Sequence, residues 1–294
     1  MATTREIVKR RRSVANIRKI TKTMEMIATA KFRRALNRAV GAKPYTEKIV
    51  ELVFTLTAAS EQAVHPLLGE NTESNRVVLL VLTSNRGLCG GYNGNIIRQA
   101  NLQIQEFKDN KTELDLWVSG KKGISALRYV GHEISHRYTD FDDKITIAQV
   151  EELADELMDL YRNKQIDGVR VVFMRFISSA RHYAAVLNLL PVRSLTEEET
   201  DEETPDIRIA DYLFSPTAEE ILDELIPITV QTELYQCFMD AVVSEQVARM
   251  RAMKAATDNA QKMIQGLTQQ YNRARQSQIT GELLDIMGGA EALK

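Results

Sequence analysis

Residues 239–274, MDAVVSEQVARMRAMKAATDNAQKMIQGLTQQYNRA, carry the pattern that decides the fold. Met239, Val243, Gln246, Met250, Met253, Thr257, Ala260, Ile264, Leu267, Tyr271 and Ala274 follow one another in alternating steps of four and three. In a helix these positions form one narrow stripe, and the spacing persists for five heptads. That is a coiled-coil seam rather than the broader apolar face of a globular helix. Much of the seam is Ala, Thr or Gln, and its outward faces are rich in Ala, Gln and Asn. A self-contained bundle would place Leu and Ile there. Small residues instead let two backbones approach closely, and few large outward anchors leave a surrounding partner only weakly gripped.

Working outward, the C-terminal helix is expected from about Thr217, with Glu219 and Glu220 in its first turn beside the positive helix end. Pro227 is expected to bend it, and Gly288 and Gly289 to end it. At ~1.5 Å per residue a helix of this length spans on the order of 100 Å. A second seam runs near the N-terminus, from about Thr4 to Ala59. Ile7, Val14, Thr21, Ala28 and Ala35 lie seven apart, Ile17 and Met24 add the second seam position, and Ile20 and Ile27 widen the stripe. The Met24–Met26 and Met250–Met253 pairs read as seam packing. Pro44, with Gly41 before it, is expected to kink or interrupt this helix. The shorter N-terminal helix leaves part of the C-terminal one to protrude or to enter another protein.

The middle of the chain has a different period. Arg76–Thr83 (RVVLLVLT) is an unbroken apolar run, as in a strand buried on both faces. A glycine-rich turn and a helix near 95–108 follow. Leu114–Ser119 and Glu133–Tyr138 read as strands, with a short helix at 122–130 between them. Ile147–Asn163 is amphipathic, with Val150, Leu153, Leu157 and Leu160 on one face. Gly168–Ile177 and Ala184–Leu190 are two more strands. Strands alternating with helices predict a largely parallel sheet. The last two strands are joined too tightly for a crossover and should form an antiparallel hairpin.

The expected fold is mixed α+β and α/β. A long antiparallel coiled coil of the N- and C-terminal helices carries an inserted Rossmann-like α/β domain. The divisions are 1–60 for the N-terminal helix, 75–195 for the α/β domain, 196–211 for an acidic linker, and 212–294 for a foot and the C-terminal helix. The linker sequence TEEETDEETPD (196–206) predicts a solvated loop.

Charge is balanced overall, at a net -2, but unevenly spread. Residues 1–48 hold fourteen Lys or Arg against three acidic residues, and residues 196–224 hold twelve Asp or Glu against one Arg. Two cysteines, Cys89 and Cys237, with no CxxC spacing argue against a disulfide framework or structural zinc. They fit a reducing compartment. No apolar run reaches the length of a membrane helix, and the basic N-terminus lacks the apolar stretch of a secretory signal.

Gly87–Gly94 after a strand invites a phosphate-loop reading. It lacks the Lys-Ser/Thr pair and clean GxGxxG spacing, so a tight structural turn is expected, with Cys89 a buried small residue. His132, His136 and His182 read as core or surface histidines rather than metal ligands. The run KRRR (9–12) suits a helix face against acidic protein loops better than a nucleic-acid arm. Two other classes stay open from pattern alone: a dinucleotide-binding α/β enzyme, and a basic coiled-coil nucleic-acid-binding protein.

Residues 13–34 (SVANIRKITKTMEMIATAKFRR), 84–95 (SNRGLCGGYNGN), 212–222 (YLFSPTAEEIL) and 244–293 together resemble the γ subunits of F-type ATP synthases. The last of these is the most specific. The resemblance implies a non-catalytic central rotor shaft that binds no cofactor and no nucleic acid. It implies partners in the alpha and beta subunits of a catalytic head, the epsilon subunit and the membrane c-ring. It also implies a peripheral location on the cytoplasmic face of a bacterial inner membrane. By motif, Lys19, Lys22, Met24 and Lys31 would face acidic loops of the catalytic subunits. Arg275, Gln276 and Thr280 would form a catch higher up, and Ile286 would sit in the tip within an apolar sleeve. Tyr212, Leu213, Phe214 and Glu220 would form the foot. The linker 196–206 is more acidic than is usual in the family. The sequence Ile228-Thr229-Val230 replaces a more typical basic-aromatic pair, Gly281 stands where Gln or Asn is commoner, and the cysteine-bearing insert of the chloroplast form is absent.

Overall fold

A computed structural model describes residues 4–59, 65–141, 145–192 and 217–291. Ten elements follow in order. They are α1 (Thr4–Ala59), β1 (Arg76–Leu82), α2 (Tyr92–Asp109), β2 (Glu113–Ser119), α3 (Lys121–Val130), β3 (His136–Tyr138), α4 (Ile147–Arg162), β4 (Gly168–Phe176), β5 (His182–Leu190) and α5 (Ala218–Glu291). The chain divides into two compact units, residues 1–30 with 249–294, and residues 31–248.

In the first unit the helices pair antiparallel. As numbers rise along α1 they fall along α5. Thr4 meets Gln278, Arg11 meets Tyr271, Arg18 meets Gln261 and Thr21 meets Thr257. The core between them is thin, with Ile7, Val14, Ala260 and Leu267 buried and Ile264, Tyr271 and Ala274 packed beside them. From Met250 to Ala274 every α5 seam residue is buried or half-buried, as its spacing predicts. Met239, Val243 and Gln246 lie in the second unit, where Phe238, Ala241, Val242 and Val247 are buried as well and the helix is enclosed by a globular core rather than held along one stripe.

The α1 stripe is narrower than expected. Ile7, Val14, Thr21 and Ala28 are buried, but Ile17, Ile20, Met24, Met26 and Ile27 are exposed. The reason is geometric. One helix covers only one stripe of its partner, and the small α5 side chains bring the axes together on the Val14–Thr21–Ala28 line. The flanking line is left to solvent, so Met24 and Met26 are not seam packing.

The second unit is a three-layer sandwich around a five-stranded sheet of order β3-β2-β1-β4-β5. β1 lies parallel to both β2 and β4, β2 lies parallel to β3, and β4 pairs antiparallel with β5. Alternation along β1 fills both faces, as a strand's two-residue period requires. Val78, Leu80 and Leu82 join one core with α4, α5 and the end of α1, while Leu79 and Val81 join another with α2 and α3. Fully burying side chains such as Leu80 and Leu157 contributes roughly 1.5–3 kcal/mol each.

Neither internal proline interrupts its helix. α1 runs through Pro44 and α5 runs through Pro227. A proline inside a helix costs about 3 kcal/mol. Burial of Ile49, Val53 and Leu56 beyond Pro44, and of Ile226 and Val230 around Pro227, offsets it. α5 also continues past Gly288 to Glu291. At its start Thr217 caps the helix, its Oγ1 accepting the Glu220 N–H at 3.3 Å.

Candidate partner-contact surfaces

The first unit presents three exposed features. The first is basic and apolar together. Lys19, Lys22 and Met24 are exposed on α1, and Met24, 37% exposed, lies on the uncovered line with Ile17, Ile20 and Ile27. Lys22 is already paired, its Nζ donating to Glu25 at 3.1 Å. Lys31 belongs to the second unit and is half-buried there.

Arg275, Gln276 and Thr280 form the second feature, all exposed on α5. Gln276 and Thr280 are one turn apart and share a face. From Thr257, opposite Thr21, to Arg275 the helix rises on the order of 25 Å, so these residues and Met24 occupy different levels. The third feature follows on the same helix. Ile279, Leu283, Leu284, Ile286 and Met287 are all exposed, Ile286 at 70%. These large apolar side chains form an exposed cluster near the end of the described helix.

In the second unit Glu220 is exposed in the first turn of α5. Tyr212, Leu213 and Phe214 lie outside the described residues.

The glycine turn after β1 is built to be occupied by the chain itself. The Ser84 N–H donates to Asn93 Oδ1 at 3.0 Å, and Asn93 Nδ2 donates to the buried Cys89 sulfur at 3.2 Å. Beside this turn, the first amides of α3 are taken as well. The Lys121 N–H goes to Asn85 Oδ1, that of Lys122 to the Ser84 carbonyl, and that of Gly123 to Thr83 Oγ1. The hollow beside them, lined by Thr83, Asn85, Ser119 and Phe141, holds about 20 Å³. A nucleotide pocket is an order of magnitude larger. The hollow beside the glycine turn is therefore too small for a nucleotide.

Other titratable groups belong to packing. Burial and the nearby Glu156 carboxylate raise the Tyr138 hydroxyl pKa. Burial raises the Cys237 thiol, with Asp240 and Glu233 adding to it. His136 packs against Trp117 with centroids 4.2 Å apart and the rings tilted by 41°. Among the described residues no group of His, Cys, Asp and Glu is placed to hold a metal, and no helix is long and apolar enough to cross a membrane.

A family model described as ATP synthase matches residues 3–293. The ATP synthase gamma chain of Rhodopirellula baltica is 45% identical over 295 residues, with 100% of both chains covered. The chain belongs to the ATP synthase gamma chain family. The gamma chain of Leptospira biflexa is 38% identical over 293 residues, again over 100% of each. Among solved structures, a chain of the Euglena gracilis mitochondrial ATP synthase, in a complex titled OSCP/F1/c-ring, matches with a TM-score of 0.66. It covers 99% of this chain and 94% of that one at 19% identity, a likeness of fold. As a gamma chain the protein is a central-stalk subunit of an F-type ATP synthase and not itself an enzyme.

Several contacts of this gamma chain were not legible in its pattern. Arg18 to Gln261, Arg11 over Tyr271 and Thr21 to Thr257 all depend on which residues the antiparallel register places opposite one another. The exposed Ile17–Ile20–Met24–Ile27 line was visible as apolar spacing, but nothing in that spacing says that it stays uncovered.

Proposed function

We propose that this gamma chain is the turning shaft that couples a membrane c-ring to the alpha and beta subunits of a catalytic head. The epsilon subunit joins it near the foot, and the assembly lies on the cytoplasmic face of a bacterial inner membrane. One observation carries the reading. The antiparallel pair in the first unit closes a thin seam of Ile7, Val14, Ala260 and Leu267 with Thr21 against Thr257. Against the expectation of few large outward anchors, Ile17, Ile20, Met24 and Ile27 face outward beside basic side chains. Such a rod is internally sufficient and externally unsatisfied.

In this reading Lys19, Lys22, Met24 and Lys31 meet acidic loops of the catalytic subunits. Exposed ion pairs are worth only about 0–1 kcal/mol, which suits contacts that break at every step. Lys22 must leave Glu25 to make one. Arg275, Gln276 and Thr280 act as a catch, since hydrogen bonds to charged groups, at roughly 1.5–3 kcal/mol, define a dwell without locking it. Ile286 and its apolar neighbours seat the tip. Tyr212, Leu213, Phe214 and Glu220 form the foot toward the ring and epsilon. The relatives named gamma chain over their full length, and the neighbouring complex titled with F1 and c-ring, support these partners.

The test replaces Arg275 and Gln276 together with Ala in the assembled complex. Coupled ATP synthesis should fall severalfold while the chain still assembles. Unchanged synthesis removes the two residues from the catch. Isolation of the chain from membranes without any large ATPase would overturn the reading as a whole.

A further inference from the structure

We infer that Thr21 and Thr257, with Arg18 and Gln261 beside them, are positioning residues that set the register of the helix pair and keep it from sliding under load. This rests on the shaft reading above and adds a residue-level device to it.

Thr21 is 8% exposed and is the only buried polar residue among the described residues of the first unit. Its hydroxyl lies 2.8 Å from that of Thr257. Each hydroxyl also has a carbonyl on its own helix, Arg18 O at 3.1 Å for Thr21 and Met253 O at 2.8 Å for Thr257. Two protons serve these three links. When Thr257 donates across to Thr21, Thr21 donates to the Arg18 carbonyl, and both protons are used with a bond between helices kept. Arg18 Nη1 donates to Gln261 Oε1 at 2.7 Å, one turn of α5 beyond Thr257. Two directional links therefore read the same register at adjacent levels.

The long Thr4–Gln278 bond and the Arg11–Tyr271 contact read it more weakly from the surface, and the buried apolar seam reads it poorly. Ile7, Val14, Ala28, Ala260 and Leu267 make apolar contacts, and these are non-directional. A slide of one heptad replaces one apolar pair by another. The same slide brings Thr21 opposite Ile264 or Met250, and Thr257 opposite Ala28 or Val14. Each hydroxyl then keeps only its own-helix carbonyl, and Arg18 loses Gln261. Single polar seam residues are known devices for fixing coiled-coil register. Twisting a two-stranded coil changes its pitch, and helices held only by non-directional contacts relax that stress by sliding. A shaft that slides dissipates rotation instead of transmitting it.

The experiment uses the full chain in its assembled complex during ATP hydrolysis. Thr4→Cys with Gln278→Cys reports the native register, because those side chains already meet at 3.4 Å. Thr4→Cys with Tyr271→Cys reports a one-heptad slip. Valine matches threonine in shape but lacks the hydroxyl. Thr21→Val with Thr257→Val should raise the ratio of slipped to native cross-link about tenfold, and Thr21→Ser with Thr257→Ser should return it to the parent value. Arg18→Met, which leaves the buried layer intact, should raise the ratio by a smaller factor and covers the case in which the valine pair folds poorly. A parent-like ratio in the valine pair, or in Arg18→Met where the valine pair does not fold, overturns the inference. Failure of the parent chain to assemble would instead tell against the shaft reading, so the two failures are distinct.

Discussion

The guanidinium of Arg11 lies over the ring of Tyr271, 5.6 Å from its centroid, and joins the two helices of the first unit one heptad above the Arg18 level. The ring is half-buried against the seam, so one tyrosine serves both packing and charge. A cation over an exposed ring is worth about 0.5–1 kcal/mol. Arg11→Ala, Tyr271→Leu and the double variant should show a coupling of that size in chemical unfolding. A coupling of zero would leave Tyr271 as packing alone.

Gly120 has φ +99, and a Cβ there would overlap the Thr83 carbonyl oxygen. The close approach lets the Thr83 N–H bond Ser119 O at 2.8 Å and lets Thr83 Oγ1 accept from Gly123. Gly120→Ala should therefore destabilise the second unit by more than the roughly 1–3 kcal/mol of backbone strain alone. Thermal unfolding checks this. Gly131→Ala, also at positive φ but in open space, should cost less.

Glu233 has its carboxyl pKa raised from 4.5 to about 7, chiefly by burial, with Arg175 opposing. The folded chain thus holds a proton that the unfolded chain releases. Stability from this group is fully present below pH 4.5 and is lost as pH rises toward about 7. Burial lowers the pKa of His65 below its ordinary 6.5, which gives the opposite slope, with stability lost as pH falls. Glu233→Gln should flatten the loss on the alkaline side and leave the His65 slope intact. Unfolding midpoints measured across this range separate the two.

Leu283 and Ile286 are exposed on the last turns of α5. Burying such a side chain in a partner contributes roughly 1.5–3 kcal/mol. Replacing both with Ser should weaken assembly with the catalytic head by tenfold or more while the isolated chain keeps its helical content. Equal assembly, read by titration of labelled chain into the head, would remove the tip from the contact surface.

Much of the α/β unit was legible because its signals are local. RVVLLVL at 76–82 is apolar on both faces, which only a central strand tolerates, and it pairs with β2 and β4. The short step from β4 to β5 required a hairpin. Glu133–Tyr138 shrank to three residues because only Trp117–Ser119 on β2 pairs with it. The contact residues were less legible. Met24 and Ile20 fit a seam by spacing, and Ile20 is 57% exposed because α5 covers the neighbouring stripe.

By itself, the sequence determined what depends on chain geometry over one or two turns. This includes the α5 seam from Met250 to Ala274, the unbroken apolar run of the central strand, and a glycine turn lacking the Lys-Ser/Thr pair of a phosphate loop. Helix and strand periods are properties of the backbone, so spacing reveals them. Only the tertiary structure decided what depends on the opposing surface. It chose the Val14–Thr21–Ala28 line of α1 over the Ile17–Met24 line, and it put Thr21 against Thr257 and Arg11 over Tyr271. It also carried α1 through Pro44. A helix offers all of its stripes equally, and the choice among them belongs to the partner that packs against one.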